Sequence, residues 1–253
     1  MNKIEKKEET PLLSIYFTAG YPDLDSTLHI AKKLEDAGAD FLEIGFPYSD
    51  PVADGPVIQH SSEVALGNGM TLTILFEQLR HLREQVSIPV FLMGYVNPVL
   101  QFGVEKFCEA CKNAGVDGVI IPDLPMYEYE ELYQEIFEKN GLANIFIVTP
   151  QTSEERIRKI DNLSNSFIYL LSSNATTGKT LDVGENTNAY FKRIHDMQLK
   201  NPLIVGFGIS DKATFQKAST YTTGAIIGSA FVKRLNEQDY LEKIPEFIKS
   251  IKD

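Results

Sequence analysis

The chain has 253 residues, 43% of them hydrophobic and 23% charged, a globular composition that excludes a wholly disordered protein and permits one large domain or two small ones. Its 35 acidic against 24 basic residues give a formal charge of −11 with no dense Lys or Arg run to offset it, which argues against nucleic acid or an anionic membrane as partner. No apolar run approaches the ~18 residues of a membrane span, and the opening MNKIEKKEET is too charged for a secretory signal, so a cytoplasmic protein is predicted.

In chain order, a polar tail to about Thr10 reads as a short helix or a mobile segment. Eight short runs rich in β-branched and aromatic residues follow: LLSIYFT from Leu12, FLEIGF from Phe41, VFLM from Val90, GVIIP from Gly118, IFIV from Ile145, FIYLL from Phe167, LIVG from Leu203 and AIIG from Ala225. Most are continuously apolar, as parallel strands covered on both faces require, and helical patterns lie between them. The first such helix places Leu24, Leu28, Ala31 and Leu34 on one side, with Gly38 as its C-terminal stop. AGADFLEIGFP and AGVDGVIIPDLP form a weak internal repeat, each running from a helix end into a strand.

Eight strands alternating with helices predict an α/β fold, a single-domain (β/α)8 TIM barrel over residues 1–253. The Gly-rich turn that a doubly wound sheet carries after its first strand is absent. The starts of the second and third strands lie 49 residues apart and those of the sixth and seventh 36, against 22 to 29 elsewhere, so the connections after strands two and six are the candidate lids.

Cys108 and Cys111 form a C-x-x-C inside GVEKFCEACKNAG, where they share an apolar helical stripe with Phe107 and Ala114, so a structural role is expected. Four scattered histidines offer no zinc set.

In a barrel the chemistry sits at the C-terminal strand ends, here Thr18, Glu43, Tyr95, Asp123, Thr149, Tyr169, Gly206 and Gly228. Glu43 is the anomaly. Leu42, Ile44 and Phe46 form one apolar face of their strand, which turns Phe41, Glu43 and Gly45 into the barrel. An unpaired polar group buried there costs at least a few kcal/mol and has its pKa pushed upward, so it points to function, or else to a cationic partner that no strand end supplies. Next comes GFPYSDPVADGP, whose Asp50 and Asp54 fit cation binding, helix capping or acid/base work equally well. GFGIS and GSA end strands seven and eight, and their Gly208, Gly228 and Ser229 offer backbone N–H groups to a phosphate or simply make tight turns. GKT within SSNATTGKT mimics the end of a P-loop without its first glycine. No strand end carries the lysine of a Schiff-base aldolase, so any carbon–carbon cleavage must find its electron sink in the substrate.

LEIGFPYSDPVADGP, with YFTAGYPD before it, YLLSSNATTGK at strand six and the pair GFGIS and GSAFVK, resembles the tryptophan synthase alpha-subunit family over essentially the whole chain. That resemblance implies a lyase of L-tryptophan biosynthesis that cleaves indole-3-glycerol phosphate to indole and D-glyceraldehyde 3-phosphate. It implies Glu43 as catalytic acid/base, Asp54 as the anion on the indole N–H, Tyr169 beside the substrate, and Gly208, Gly228 and Ser229 as phosphate cradle. Thr177 and Gly178 match the family's lid, although Ser173 to Thr176 replace its usual Arg and Gly-Val. No metal and no cofactor is implied in this chain. Pyridoxal phosphate belongs to a beta-subunit partner, joined in an alpha2beta2 tetramer, to which indole passes through a tunnel. Two other readings stay open: a different phosphate-binding barrel, such as a phosphoribosyl isomerase with acids on opposite strands, and a catalytically silent barrel acting as a regulatory partner.

Overall fold

The computed structural model describes residue 4, residues 10–172 and residues 185–253. The eight apolar runs form parallel strands: β1 Leu12–Thr18, β2 Phe41–Gly45, β3 Val90–Met93, β4 Gly118–Ile120, β5 in two pieces at Ala143–Ile145 and Ile147–Val148, β6 Ile168–Leu171, β7 Leu203–Gly206 and β8 Gly224–Ile227. The break in β5 is where the barrel closes. Its first piece pairs with β4 and its second with β6, so the two edges of the sheet belong to one strand. At the change of partner the Phe146 carbonyl accepts the Tyr169 N–H at 3.0 Å.

Side chains alternate across the wall as period-two strands require. Leu42 and Ile44 of β2 join the outer core between sheet and helices, whereas Phe41, Phe91, Phe167 and Tyr169 belong to a separate inner core. The three phenylalanines pack with ring centroids 5.1 to 5.9 Å apart, two of the pairs edge to face. Ile4, 6% exposed, belongs to the same inner core, and residues 1–3 and 5–9 of the predicted tail lie outside the described residues.

The internal repeat marks a construction joint. Asp40 ahead of β2 accepts the Leu13 N–H of β1, and Asp117 ahead of β4 accepts the Val90 N–H of β3, each at 2.9 Å. Helix Ser26–Asp36 ends as its glycine predicts: Gly38, at φ +100°, donates to Glu35 O while Ala39 donates to Leu34 O. Leu24 precedes that helix, so its buried stripe runs through Ile30, Ala31 and Leu34 instead.

Helix Val104–Ala114 buries Cys108 and Cys111 as free thiols, and burial pushes the Cys108 thiol up to about 12 and Cys111 well above its usual value. Neither is a nucleophile. The extra length after β2 is mostly helical, in Pro56–Gly67, Leu72–Leu79 and Leu82–Gln85, which leaves residues 46–55 as the loop proper. The expected lid with Thr177 and Gly178, and the GKT decoy, lie outside the described residues.

Candidate active site

Glu43 points into the barrel because the register fixes it there. Its backbone pairs with Tyr16 of β1 and Phe91 of β3, and Phe41, two residues earlier on the same face, is part of the phenylalanine plug below. The side chain is 0% exposed, and neither carboxyl oxygen has a hydrogen-bond partner among the described residues. Burial without a donor raises its pKa from 4.5 to about 8. At neutral pH Glu43 therefore carries a proton and is able both to donate and to accept one.

Asp54 sits differently. The residue capping helix Pro56–Gly67 is Gly55, so the capping reading of Asp54 fails. Its carboxylate instead accepts the Tyr95 hydroxyl at 3.1 Å, and the Tyr95 oxygen accepts the Ala53 N–H at 3.0 Å. Tyr95, directly after β3, thus pins the loop that carries Asp54. Burial raises the Asp54 pKa to about 6, and the Tyr95 hydrogen bond opposes the rise. Two carboxyl groups are pushed apart, one neutral and one anionic at pH 7, which is the arrangement that separates acid from anion roles. Asp50, by contrast, is exposed and accepts from the neighbouring Ser49 hydroxyl, a turn interaction away from the cleft.

Both acids line one cleft of about 730 Å³ at the C-terminal mouth, together with Tyr16, Met93, Tyr169, Phe207, Gly208, Gly228, Ser229 and Lys233. Glycines make room for its aromatic walls: a Cβ on Gly206 would overlap the Tyr169 hydroxyl, and one on Gly45 the Tyr16 hydroxyl. Gly208 needs its glycine for another reason, a left-handed φ of +76°. Phe207 shares that conformation at φ +70° without being glycine, a strained backbone that sets its ring edge-on to Tyr169 at 6.4 Å. Ser229 opens the short helix Ser229–Arg234: Phe231 and Val232 donate to the Gly228 carbonyl, and the Ser229 and Ala230 N–H groups ahead of them have no helical carbonyl behind them.

A second cleft of about 980 Å³ adjoins the first, with Phe46, Tyr48, Tyr95, Ile147 and Leu171 among its lining. The two share Tyr16, Asp54, Met93 and Phe207, so Asp54 stands at the neck between the chamber that holds Glu43, Ser229 and Lys233 and an aromatic one.

The structure brings Glu43, Asp54, Tyr169, Gly208, Gly228 and Ser229 together. Of the other strand-end residues, Thr18 hydrogen-bonds Ser61 and the Tyr16 hydroxyl, Asp123 accepts the Val96 N–H, and Thr149 bonds Thr152. Sequence reasoning missed Tyr16, Met93, Phe207 and Lys233. Lys233, the sole cation of the first cleft among the described residues, stands four residues after Ser229, one helical turn, and that spacing was its signal. Among the described residues no group of three or more His, Cys, Asp or Glu is arrayed to hold a metal.

The family profile described as "Tryptophan synthase alpha chain" matches residues 1–250. The tryptophan synthase alpha chain of Christiangramia forsetii is 58% identical over 254 residues, covering 100% of this chain and 99% of the relative. That of Flavobacterium psychrophilum is 55% identical over 253 residues, covering 99% and 100%. Among solved structures, tryptophan synthase subunit alpha from Legionella pneumophila superposes with a TM-score of 0.86 at 32% identity, over 96% of this chain and 92% of that one. A chain of the Pyrococcus furiosus tryptophan synthase complex gives 0.82 at 32% identity, over 97% and 98%.

Proposed function

This chain belongs to the tryptophan synthase alpha chain family, lyases of L-tryptophan biosynthesis that cleave indole-3-glycerol phosphate to indole and D-glyceraldehyde 3-phosphate, and on that premise we propose that Glu43 and Asp54 divide the cleavage between them. The observation that carries this reading is the pair of carboxyl groups, protonated and ionised on either side of neutral pH, in one cleft with a glycine and serine cradle.

Glu43 starts as the acid and protonates indole C3, which makes the ring an iminium-like electron sink. Asp54, anionic at the neck, holds the indole N–H and offsets the positive charge that develops there. The C–C pair then returns to the ring as the bond breaks, the oxygen on the scissile carbon becomes the aldehyde carbonyl, and its proton returns to Glu43. The acid is regenerated in each cycle. Neither a Schiff-base lysine nor a metal has a part in this scheme. Tyr169 forms the wall beside the reacting carbon. Gly208, Gly228 and Ser229 present N–H groups to the phosphate, and Lys233 adds positive charge at the rim.

The same reading takes the whole chain as one barrel domain in the cytoplasm, without a cofactor of its own, joined to a pyridoxal-phosphate beta subunit in an alpha2beta2 assembly. The match to a chain of the Pyrococcus furiosus complex supports a partner. So do the exposed apolar side chains Val52, Leu100, Tyr127 and Leu132, all on segments that follow the C-terminal ends of β2, β3 and β4. The test is a direct assay: the purified chain is given indole-3-glycerol phosphate, and both indole and glyceraldehyde 3-phosphate are measured, alone and during titration with a beta subunit. Formation of both products in equal amounts is expected, faster with the partner. Absence of product at every ratio overturns the reading.

A further inference from the structure

One polar group of the cleft has no role in the scheme above: the hydroxyl of the half-buried Tyr16. Tyr16 faces Glu43 across the β1–β2 register, and its ring extends along the lumen wall until the hydroxyl covers Gly45, the next inward position of β2 above Glu43. It lines both chambers, so the hydroxyl stands at the neck with Asp54. Glu43 and Asp54 are both near enough to raise its pKa further beyond the effect of burial, so it stays a phenol throughout the working pH range.

Two further hydroxyls in series hold it. Ser61 donates to the Ile58 carbonyl at 2.9 Å, which leaves the Ser61 oxygen to accept from Thr18 at 2.7 Å, and the Thr18 oxygen in turn to accept from Tyr16. That last contact is 3.5 Å, well beyond the ~2.7 to 2.8 Å usual for O–H···O, so the Tyr16 proton is held weakly and is free to move to a better acceptor. The chain ends on a carbonyl and does not conduct protons to solvent.

We propose that Tyr16 orients the substrate: its hydroxyl donates to the oxygen on the scissile carbon, and an oxygen that accepts from Tyr16 turns its own proton toward Glu43. No bond is made or broken by Tyr16. Its effect is to place the one proton that must leave in line with the one base that takes it. This assignment rests on the proposed lyase reaction and adds a third group to it.

Tyr16→Phe keeps the ring and deletes the hydroxyl. With indole-3-glycerol phosphate, kcat is expected to fall roughly tenfold, the worth of one hydrogen bond made at the reacting centre, with KM changed less than kcat. An analogue with hydrogen in place of the scissile-carbon hydroxyl binds wild type and Tyr16→Phe alike, because it lacks the oxygen that Tyr16 holds. Thr18→Val, which frees the Tyr16 proton from its anchor, lowers kcat only slightly, and it serves as a second probe if Tyr16→Phe unfolds. Wild-type kcat in Tyr16→Phe, beside an inactive Glu43→Gln, overturns the Tyr16 assignment alone. A more than tenfold loss of kcat in Thr18→Val with normal melting overturns it too, since the anchor and not the hydroxyl would then be what matters. A wild-type chain that cleaves nothing removes this inference and the lyase reading together.

Discussion

The barrel treats its buried acids in opposite ways at its two ends. At the N-terminal base Asp40 accepts the Leu13 N–H and Lys252, Asp117 accepts the Val90 N–H and pairs with Arg83, and Asp161 accepts N–H groups from Lys200 and Asn201 together with the Asn201 amide. At the C-terminal mouth Glu43 is more deeply buried than any of these and has no partner at all among the described residues. Satisfied carboxylates hold strands together, whereas an unsatisfied one stores a proton. The difference lies in the neighbours, since the base surrounds its acids with free backbone N–H groups and cations, and the lumen surrounds Glu43 with aromatic rings.

The largest effect expected from breaking this contrast is at Glu43. Glu43→Gln keeps the volume but transfers no proton, and cleavage should fall ~10² to 10⁴-fold with the fold retained. Turnover near wild type with a normal melting curve would sink the assignment. Asp54→Asn comes next, at about 10² to 10³-fold, because an amide does not offset the developing ring charge. Were this variant to lose thermal stability but keep kcat, Asp54 would be a loop fastener rather than a catalytic anion.

The base should respond the other way. Asp117→Ala leaves the Val90 N–H without its carboxylate and removes the ion pair from Arg83, which keeps the Gly115, Val86 and Ile88 carbonyls, and is expected to cost about 2 kcal/mol of stability, read by denaturant unfolding, while kcat of the folded fraction stays unchanged. A catalytic loss without unfolding would show that the two ends are coupled.

The smallest effect sharpens the comparison by pH. Activity requires Glu43 protonated and Asp54 ionised, so kcat/KM should be bell-shaped, falling about tenfold per unit below about pH 6 and above about pH 8. Stability follows its own sign. The folded pKa of Glu43 lies above its usual 4.5, so the stability present below pH 4.5 is lost as pH rises toward 8, and Glu43→Gln should unfold at a higher temperature than wild type by a margin that widens over that range. A margin that stays flat with pH would show that Glu43 is not buried as an acid.

Much of this was legible in the chain itself. The strands announced themselves as continuous apolar runs, and Glu43 stood out because a carboxylate interrupts one of them on its inward face. Tyr16 escaped notice because tyrosine counts as apolar within such a run, although the alternation that exposed Glu43 also turns Tyr16 inward. The Asp54–Tyr95 bond joins residues 41 positions apart on loops after different strands, a relation that only the closed barrel creates. The split in β5 was likewise invisible, because a change of hydrogen-bonding partner at Phe146 is a property of closure and leaves no mark on composition. Lys233 needed a helix to be placed after Ser229 before its spacing meant anything.

The three-phenylalanine plug, with Ile4 in the same core, has a consequence for traffic. Among the described residues both chambers therefore lie at the C-terminal strand ends. Substrate enters by the mouth, and an aldehyde phosphate and an apolar heterocycle leave from chambers that meet at one neck. The hydrophobic product gains least from the water outside and is the one most readily handed to any surface that covers the aromatic chamber. Closing one end of the barrel with packed rings therefore leaves the apolar product facing the aromatic chamber at the other end.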